Sequence, residues 1–200
     1  MLDLTKLREL SFEELKKYLW ENPNAVNIDI DGEGGRILDY AGWWNCYELA
    51  YFLITELKVD IHRQDKDGTT ALGTTICAGI DSIDIAKLLL DNGANINEKD
   101  NEGDSLLHLA VGMISISCPE DKNLKMLNFL VENGAEINAQ NNKGDTPLHL
   151  AIEAITERCL NDTKMVELLL KLGATINIKN NNGISPLDIA IKNNITKIVS

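Results

Sequence analysis

Apolar and polar positions along this chain recur in one order: a polar turn with a glycine, a short apolar helical pattern, a second apolar helical stripe, and a polar exit. The turn-and-helix openings are DKDGTTAL at Asp65, DNEGDSLLHLA at Asp100, NNKGDTPLHLA at Asn141 and NNNGISPLDIA at Asn180. The second helices show as apolar runs such as 87–90 and 166–170. Three exits match one another: LLLDNGANIN ending at Asn97, FLVENGAEIN at Asn138 and LLLKLGATIN at Asn177. Ahead of these, SFEELKKYLW (11–20) predicts a helix with Leu15 and Leu19 on one face behind an SxxE capping box, followed by ENPNAVNI, an echo of the exits.

Each recurring residue has a physical task. Gly68, Gly103, Gly144 and Gly183 suit the positive φ of a tight turn, and Gly93 and Gly173 suit left-handed helix ends. Thr146 is expected to cap the first helix through its hydroxyl, with Pro147 at the first helical position, where no N–H is needed. Leu148 is expected in the core, and Ala110, Ala151 and Ala190 are small enough for paired helices to approach.

With TPLHLA intact at Thr146 and GA-plus-Asn closing three units, the chain from about residue 31 onward resembles the ankyrin repeat, a β-turn, TPLH, two antiparallel helices and a closing GAxxN with a period of about 33 residues. The resemblance implies an all-α repeat (solenoid) fold: an ankyrin array of helix pairs with β-hairpin or β-turn loops. The units it implies are an N-terminal helical cap or partial repeat at 1–30, a divergent repeat 1 at 31–64, repeat 2 at 65–99, repeat 3 at 100–140, repeat 4 at 141–179, and a partial C-terminal repeat at 180–200. Repeat 1 reads Arg36, Ile37, Leu38, Asp39 in place of TPLH and exits through LKVDIH without a glycine. Repeat 2 reads TALG, which suggests a looser start to its first helix. Repeats 3 and 4 are long, the Thr/Ser positions being 35, 41 and 39 residues apart, and the extra length falls in 114–125 and 155–164. Two such insertions at one register would either form a ridge along one edge of the array or reflect drift in a tolerant loop. At the C-terminus, KIVS arrives where the last second helix has barely begun, so the cap is short or the chain is cut.

Composition narrows the partners. A net charge of −12 and a pI near 4.6 oppose phosphate backbones and anionic lipid, so no nucleic acid and no membrane partner is expected. The greasiest stretch, 47–54, is too short to span a bilayer and the N-terminus has no leader pattern, which makes a cytoplasmic monomer the expectation. The cysteines, Cys46, Cys77, Cys118 and Cys159, form no CxxC pair, and no metal or cofactor is expected. Cys118 and Cys159 share a register, but equivalent atoms of stacked units sit on the order of 10 Å apart, beyond a disulfide's reach.

Catalysis requires convergent groups, and the sequence offers none. In the resemblance the TPLH histidine bonds neighbouring backbone, so His108 and His149 are structural; Gly73, Asp39 and Asp188 stand at that place in sister units. His62 falls where other exits carry asparagine. The acids Asp65, Asp67, Asp100, Glu102, Asp104 and Asp145 read as solvated hairpin tips. The resemblance implies a concave face of hairpin tips and first helices that grips protein. The residues expected to bind there are Trp43, Trp44, Asp65, Asp67, Glu102, Asp104, Met113, Asp145 and Glu153, with the tryptophans as anchors or, alternatively, as filler against Tyr18 or Trp20. The leading expectation is a non-catalytic interaction module for a basic or amphipathic protein surface. The alternatives are an inhibitor or immunity protein masking a basic toxin or nuclease, an enzyme with a site in the insertion ridge near Asp121, and the ankyrin portion of a larger protein.

Overall fold

In the computed structural model, residues 10–117, 121–157 and 163–195 are described. The helices are α1 (Phe12–Glu21), α2 (Ile37–Trp43), α3 (Tyr47–Tyr51), α4 (Ala71–Ala78), α5 (Ile83–Asp91), α6 (Leu106–Ser117), α7 (Asp121–Glu132), α8 (Pro147–Glu157), α9 (Lys164–Lys171) and α10 (Pro186–Lys192). The loops are tight turns rather than extended hairpins; a single antiparallel bridge, Lys99 to Ser105, is seen among the described residues. The chain divides into two compact units, Met1–Asn95 and Ile96–Ser200.

In Met1–Asn95, α1 begins at Ser11, whose hydroxyl accepts from Glu14 N–H at 3.3 Å while the Glu14 carboxylate accepts from Ser11 N–H at 2.9 Å. Leu15 and Leu19 are buried, as their spacing predicts. The start of α4 is well capped in spite of the missing proline and histidine, because Thr70 Oγ1 accepts from Leu72 N–H at 3.2 Å. First helices α2 and α4 pack on each other so closely that Gly42 faces Thr75: a Cβ on Gly42 would stand 2.2 Å from Thr75 Oγ1. Thr75 occupies the place of Ala110, Ala151 and Ala190, and Gly42 that of Val111, Ile152 and Ile191, so a larger residue on one helix is matched by a smaller one on its neighbour.

Helix α3 runs on into a π-helical turn, Phe52–Glu56, in which Leu57 N–H bonds Phe52 C=O at 3.1 Å. The next bond, Val59 N–H to Leu53 C=O, reaches back one residue further than its counterparts, such as Ala94 N–H to Leu89 C=O and Ala135 N–H to Leu130 C=O. The exit that lacks glycine still makes the left-handed turn, with Lys58 at φ 53° where Gly93 and Gly134 stand at 99° and 93°.

In Ile96–Ser200, first helices α6 and α8 pack together, as do α8 and α10, and each of α6 and α8 carries its second helix, α7 and α9. The extra length of the two long units is partly helical: α6 and α8 have 12 and 11 residues against 7 and 8 in α2 and α4. Residues 118–120 and 158–162, which include Cys118 and Cys159, lie outside the described residues, as does 196–200. The exit asparagines stitch successive units together: Asn97 Oδ1 accepts from Glu136 N–H at 2.9 Å and Asn138 Oδ1 from Thr175 N–H at 2.8 Å.

Candidate functional site

The turns are built alike. The first residue of each, Asp31, Asp65, Asp100, Asn141 or Asn180, accepts two backbone N–H groups of its own turn through one side-chain oxygen. For Asp65 these are Asp67 N–H at 2.9 Å and Thr69 N–H at 2.8 Å. Within each unit one turn also bonds the next through backbone: Lys66 N–H to Glu33 C=O at 3.1 Å, Asn142 N–H to Glu102 C=O at 2.9 Å, and Asn181 N–H to Lys143 C=O at 3.0 Å. Gly144 sits at φ 78°, and a Cβ there would come within 2.7 Å of Asn181 N, so this backbone approach requires glycine.

Both motif histidines are clasps. His149 Nδ1 accepts from Thr146 N–H at 3.0 Å with the Thr146 hydroxyl at 2.9 Å, and its Nε2 reaches Ile184 C=O at 3.1 Å. His108 repeats this with Ser105 N–H at 3.1 Å and Asp145 C=O at 2.9 Å. A ring that donates through Nε2 and accepts through Nδ1 is the neutral Nε2–H tautomer. Burial accordingly pulls the His108 pKa below its usual value, against the opposing pull of the Asp145 carbonyl. The Thr146 hydroxyl is thus turned to His149, where the sequence suggested a backbone cap. Asp39 and Asp188 take over the near half of the clasp, accepting from Arg36 N–H and Ser185 N–H at 2.8 Å each. In the first repeat the reach across comes from Arg36 instead, which grips Asp39 and donates to Arg63 C=O at 2.7 Å.

A cleft of about 330 Å³ opens in Met1–Asn95 where the Asp31 and Asp65 turns meet helices α2 and α4. Asp31, Asp39 and Asp65 supply its carboxylates, Tyr40 and Trp43 its rings, and Gly35 and Thr74 the remaining wall. Trp43 is 49% exposed. Tyr40 donates its hydroxyl to Asp31 at 2.8 Å, and burial together with that neighbouring carboxylate pushes the phenol up to about 12. Burial works against the Asp31 carboxylate, but Glu33 N–H, the Tyr40 hydroxyl and Gly35 N–H outweigh it and hold its pKa below the usual range. For Asp39 burial prevails over the Arg36 guanidinium, with the Asp65 charge adding to the upward shift.

Of the residues expected to bind a partner, the structure brings Trp43 and Asp65 together in this cleft. Trp44 is half-buried with its ring 5.0 Å from Tyr40, while Trp20, 63% exposed, pairs with Phe52 at 6.4 Å. Asp67 and Glu102 are exposed on turn tips, and Met113 and Glu153 are half-buried on α6 and α8. Asp145 departs from the expected solvated tip: it is 7% exposed, and its carboxylate accepts from Asn180 Nδ2 at 2.7 Å. Asp104 is engaged in the same way by Asn141 Nδ2 at 2.7 Å, so both acids close seams between turns. Sequence reasoning passed over Asp31, Tyr40 and Thr74. The available signals were the spacing of Asp31 to Arg36, which matches the later turns, and the i,i+4 aromatic pair Tyr40 and Trp44.

No group of histidine, cysteine or carboxylate side chains able to hold a metal occurs among the described residues, and no helix there is long and apolar enough to cross a membrane.

Helix pairs joined by like turns, clasped at like positions, define a helical repeat protein. The family model for ankyrin repeats, in three copies, matches residues 45–120 and 113–200, and the chain belongs to the ankyrin repeat family. Comparison with curated proteins gives no match. Ankyrin repeats serve generally as protein–protein interaction modules and are typically non-catalytic.

Proposed function

We propose that this protein is a non-catalytic docking module that grips a basic or amphipathic protein surface through the cleft of its first unit. Trp43 is the anchor, the Asp65 and Asp31 carboxylates give the cleft its sign, and the exposed tip acid Asp67 steers the encounter. The observation that carries this reading is a large aromatic ring left half in solvent at the rim of an acid-walled cleft, in a chain of net charge −12. Aromatic residues flanked by a polar rim are where interfaces concentrate their binding energy. Chemistry has no comparable support, since the motif imidazoles are locked into backbone bonds.

The test uses full-length wild-type and Trp43→Ala proteins as baits in extract of the native host. Proteins retained by wild type are identified by mass spectrometry, purified and titrated by calorimetry. A hot-spot ring contributes about 2 kcal/mol or more, so Trp43→Ala should weaken the complex roughly thirtyfold, and added salt should weaken it further. Equal affinity for the variant, together with indifference to salt, would refute the reading.

A further inference from the structure

Building on that docking reading, we propose that the cleft seats one arginine side chain of the partner, its guanidinium bonded to Asp31 and Asp65 and stacked on Trp43. The argument comes from a seam that the second unit closes and the first does not. In Ile96–Ser200, the two later turns each carry an asparagine whose amide donates to an aspartate of the turn before: Asn141 to Asp104 and Asn180 to Asp145, each at 2.7 Å. Asp65 stands at the place of Asn141 and Asn180 and, like them, uses Oδ1 for its own turn. Where the asparagines offer an N–H, Asp65 offers a second carboxylate oxygen. Gly35 stands at the place of Asp104, and the space a side chain would take there is filled by Asp31, whose Oδ2 would lie 2.3 Å from a Cβ on Gly35. Donor meets acceptor in the second unit; in the first, two acceptors line one cleft.

The charge on Asp65 is surplus to the fold, because Asn141 and Asn180 hold the same turn without one. It stands beside Asp31 and Asp39, and its field is among the causes that raise the Asp39 pKa. The cations at hand are committed elsewhere: Arg36 to Asp39 and the Arg63 carbonyl, Lys66 to Glu33 and the Gly32 carbonyl. What the seam lacks is a cationic donor brought from outside. A guanidinium supplies several N–H groups in one plane, enough to bond two carboxylates at once, and a flat face for the Trp43 indole. An ammonium has the charge without the plane.

The experiment pans random peptides displayed on phage against immobilised full-length protein in buffer containing EDTA, with Trp43→Ala protein as the counter-surface. Peptides enriched on wild type should carry an arginine. In the best synthetic peptide, replacing that arginine by citrulline, which keeps the shape and removes the charge, should weaken binding roughly tenfold or more, and lysine should recover only part of the loss. Asp65→Asn should weaken the arginine peptide to a similar degree while raising the urea midpoint of the protein, because the new amide can close the seam; Glu13→Gln, at an exposed acid of α1 that does not line the cleft, should do neither. Enriched peptides without arginine, a citrulline peptide that binds as well, or lysine that serves equally would overturn the arginine inference and leave the docking reading standing. If no peptide prefers wild type to Trp43→Ala, the docking reading itself falls.

Discussion

Gly42 and Thr75 make a pair whose coupling can be measured. Alanine in place of glycine inside a helix ordinarily stabilises by about 1 kcal/mol. At Gly42 the added methyl would meet Thr75 Oγ1 at 2.2 Å and Thr75 Cβ at 3.2 Å, and the hydroxyl is fixed by its bond to Ala71 C=O at 2.6 Å in a fully buried site. Overpacking of this kind costs about 1–3 kcal/mol, so Gly42→Ala should range from neutral to about 2 kcal/mol destabilising. In a Thr75→Ala background the Oγ1 contact is gone and only the 3.2 Å Cβ contact is left, so the same change should stabilise by up to about 1 kcal/mol. The double-mutant cycle should therefore show a coupling of about 1–3 kcal/mol. Urea unfolding followed by tryptophan fluorescence is the assay, since Trp20, Trp43 and Trp44 are all the tryptophans and all lie in Met1–Asn95. If Gly42→Ala raised the midpoint equally in both backgrounds, the reasoning about matched sizes would be wrong.

His149→Ala should destabilise Ile96–Ser200 by about 1–3 kcal/mol, because it strips the acceptor from the buried Thr146 N–H and unties the turn at Ile184; hydrogen exchange of the 141–151 amides would report it. Lys58→Gly should stabilise Met1–Asn95 by up to about 1 kcal/mol, since φ 53° strains a residue with a Cβ, and a lowered urea midpoint would count against this. Because the folded-state pKa of His108 is depressed, its contribution is complete above the unfolded value of about 6.5 and is lost as pH falls from there through the folded pKa. Melting of wild type should therefore drop more between pH 7.5 and pH 5.5 than melting of His108→Gln, and parallel curves would contradict the assignment.

Much of the fold was legible because its signals are local. Turn glycines, and Ser and Thr ahead of the first helices, each act within a few residues, while the clasping role of His108 and His149 was implied by the resemblance to the ankyrin repeat. The first repeat was read from register and helix pattern; Lys58 makes its exit turn without the glycine that marks the others. What stayed hidden depends on neighbouring turns brought together by the fold. Asp145 reads as one more surface acid until Asn180, 35 residues later, is placed against it. The cleft results from an absence at Gly35, a carboxylate at Asp31 and another at Asp65, three facts that no single stretch displays together. The long repeats hid their surplus in helix as well as loop, because an apolar segment such as that following Ala110 continues a helix without any mark of insertion.

The π-helical turn at Phe52–Glu56 bears on how this gene can change length. Removing one codon from an ordinary helix swings everything beyond it by about 100° and carries buried faces out to water. Here the surplus residue is held as slack in a single wide turn, so loss of one codon inside it would tighten the spiral to regular pitch and leave Leu49 and Ile61, on either side, facing inward as before. Of all the helical stretches in the first unit, this is the one where a reading-frame-preserving deletion is best absorbed.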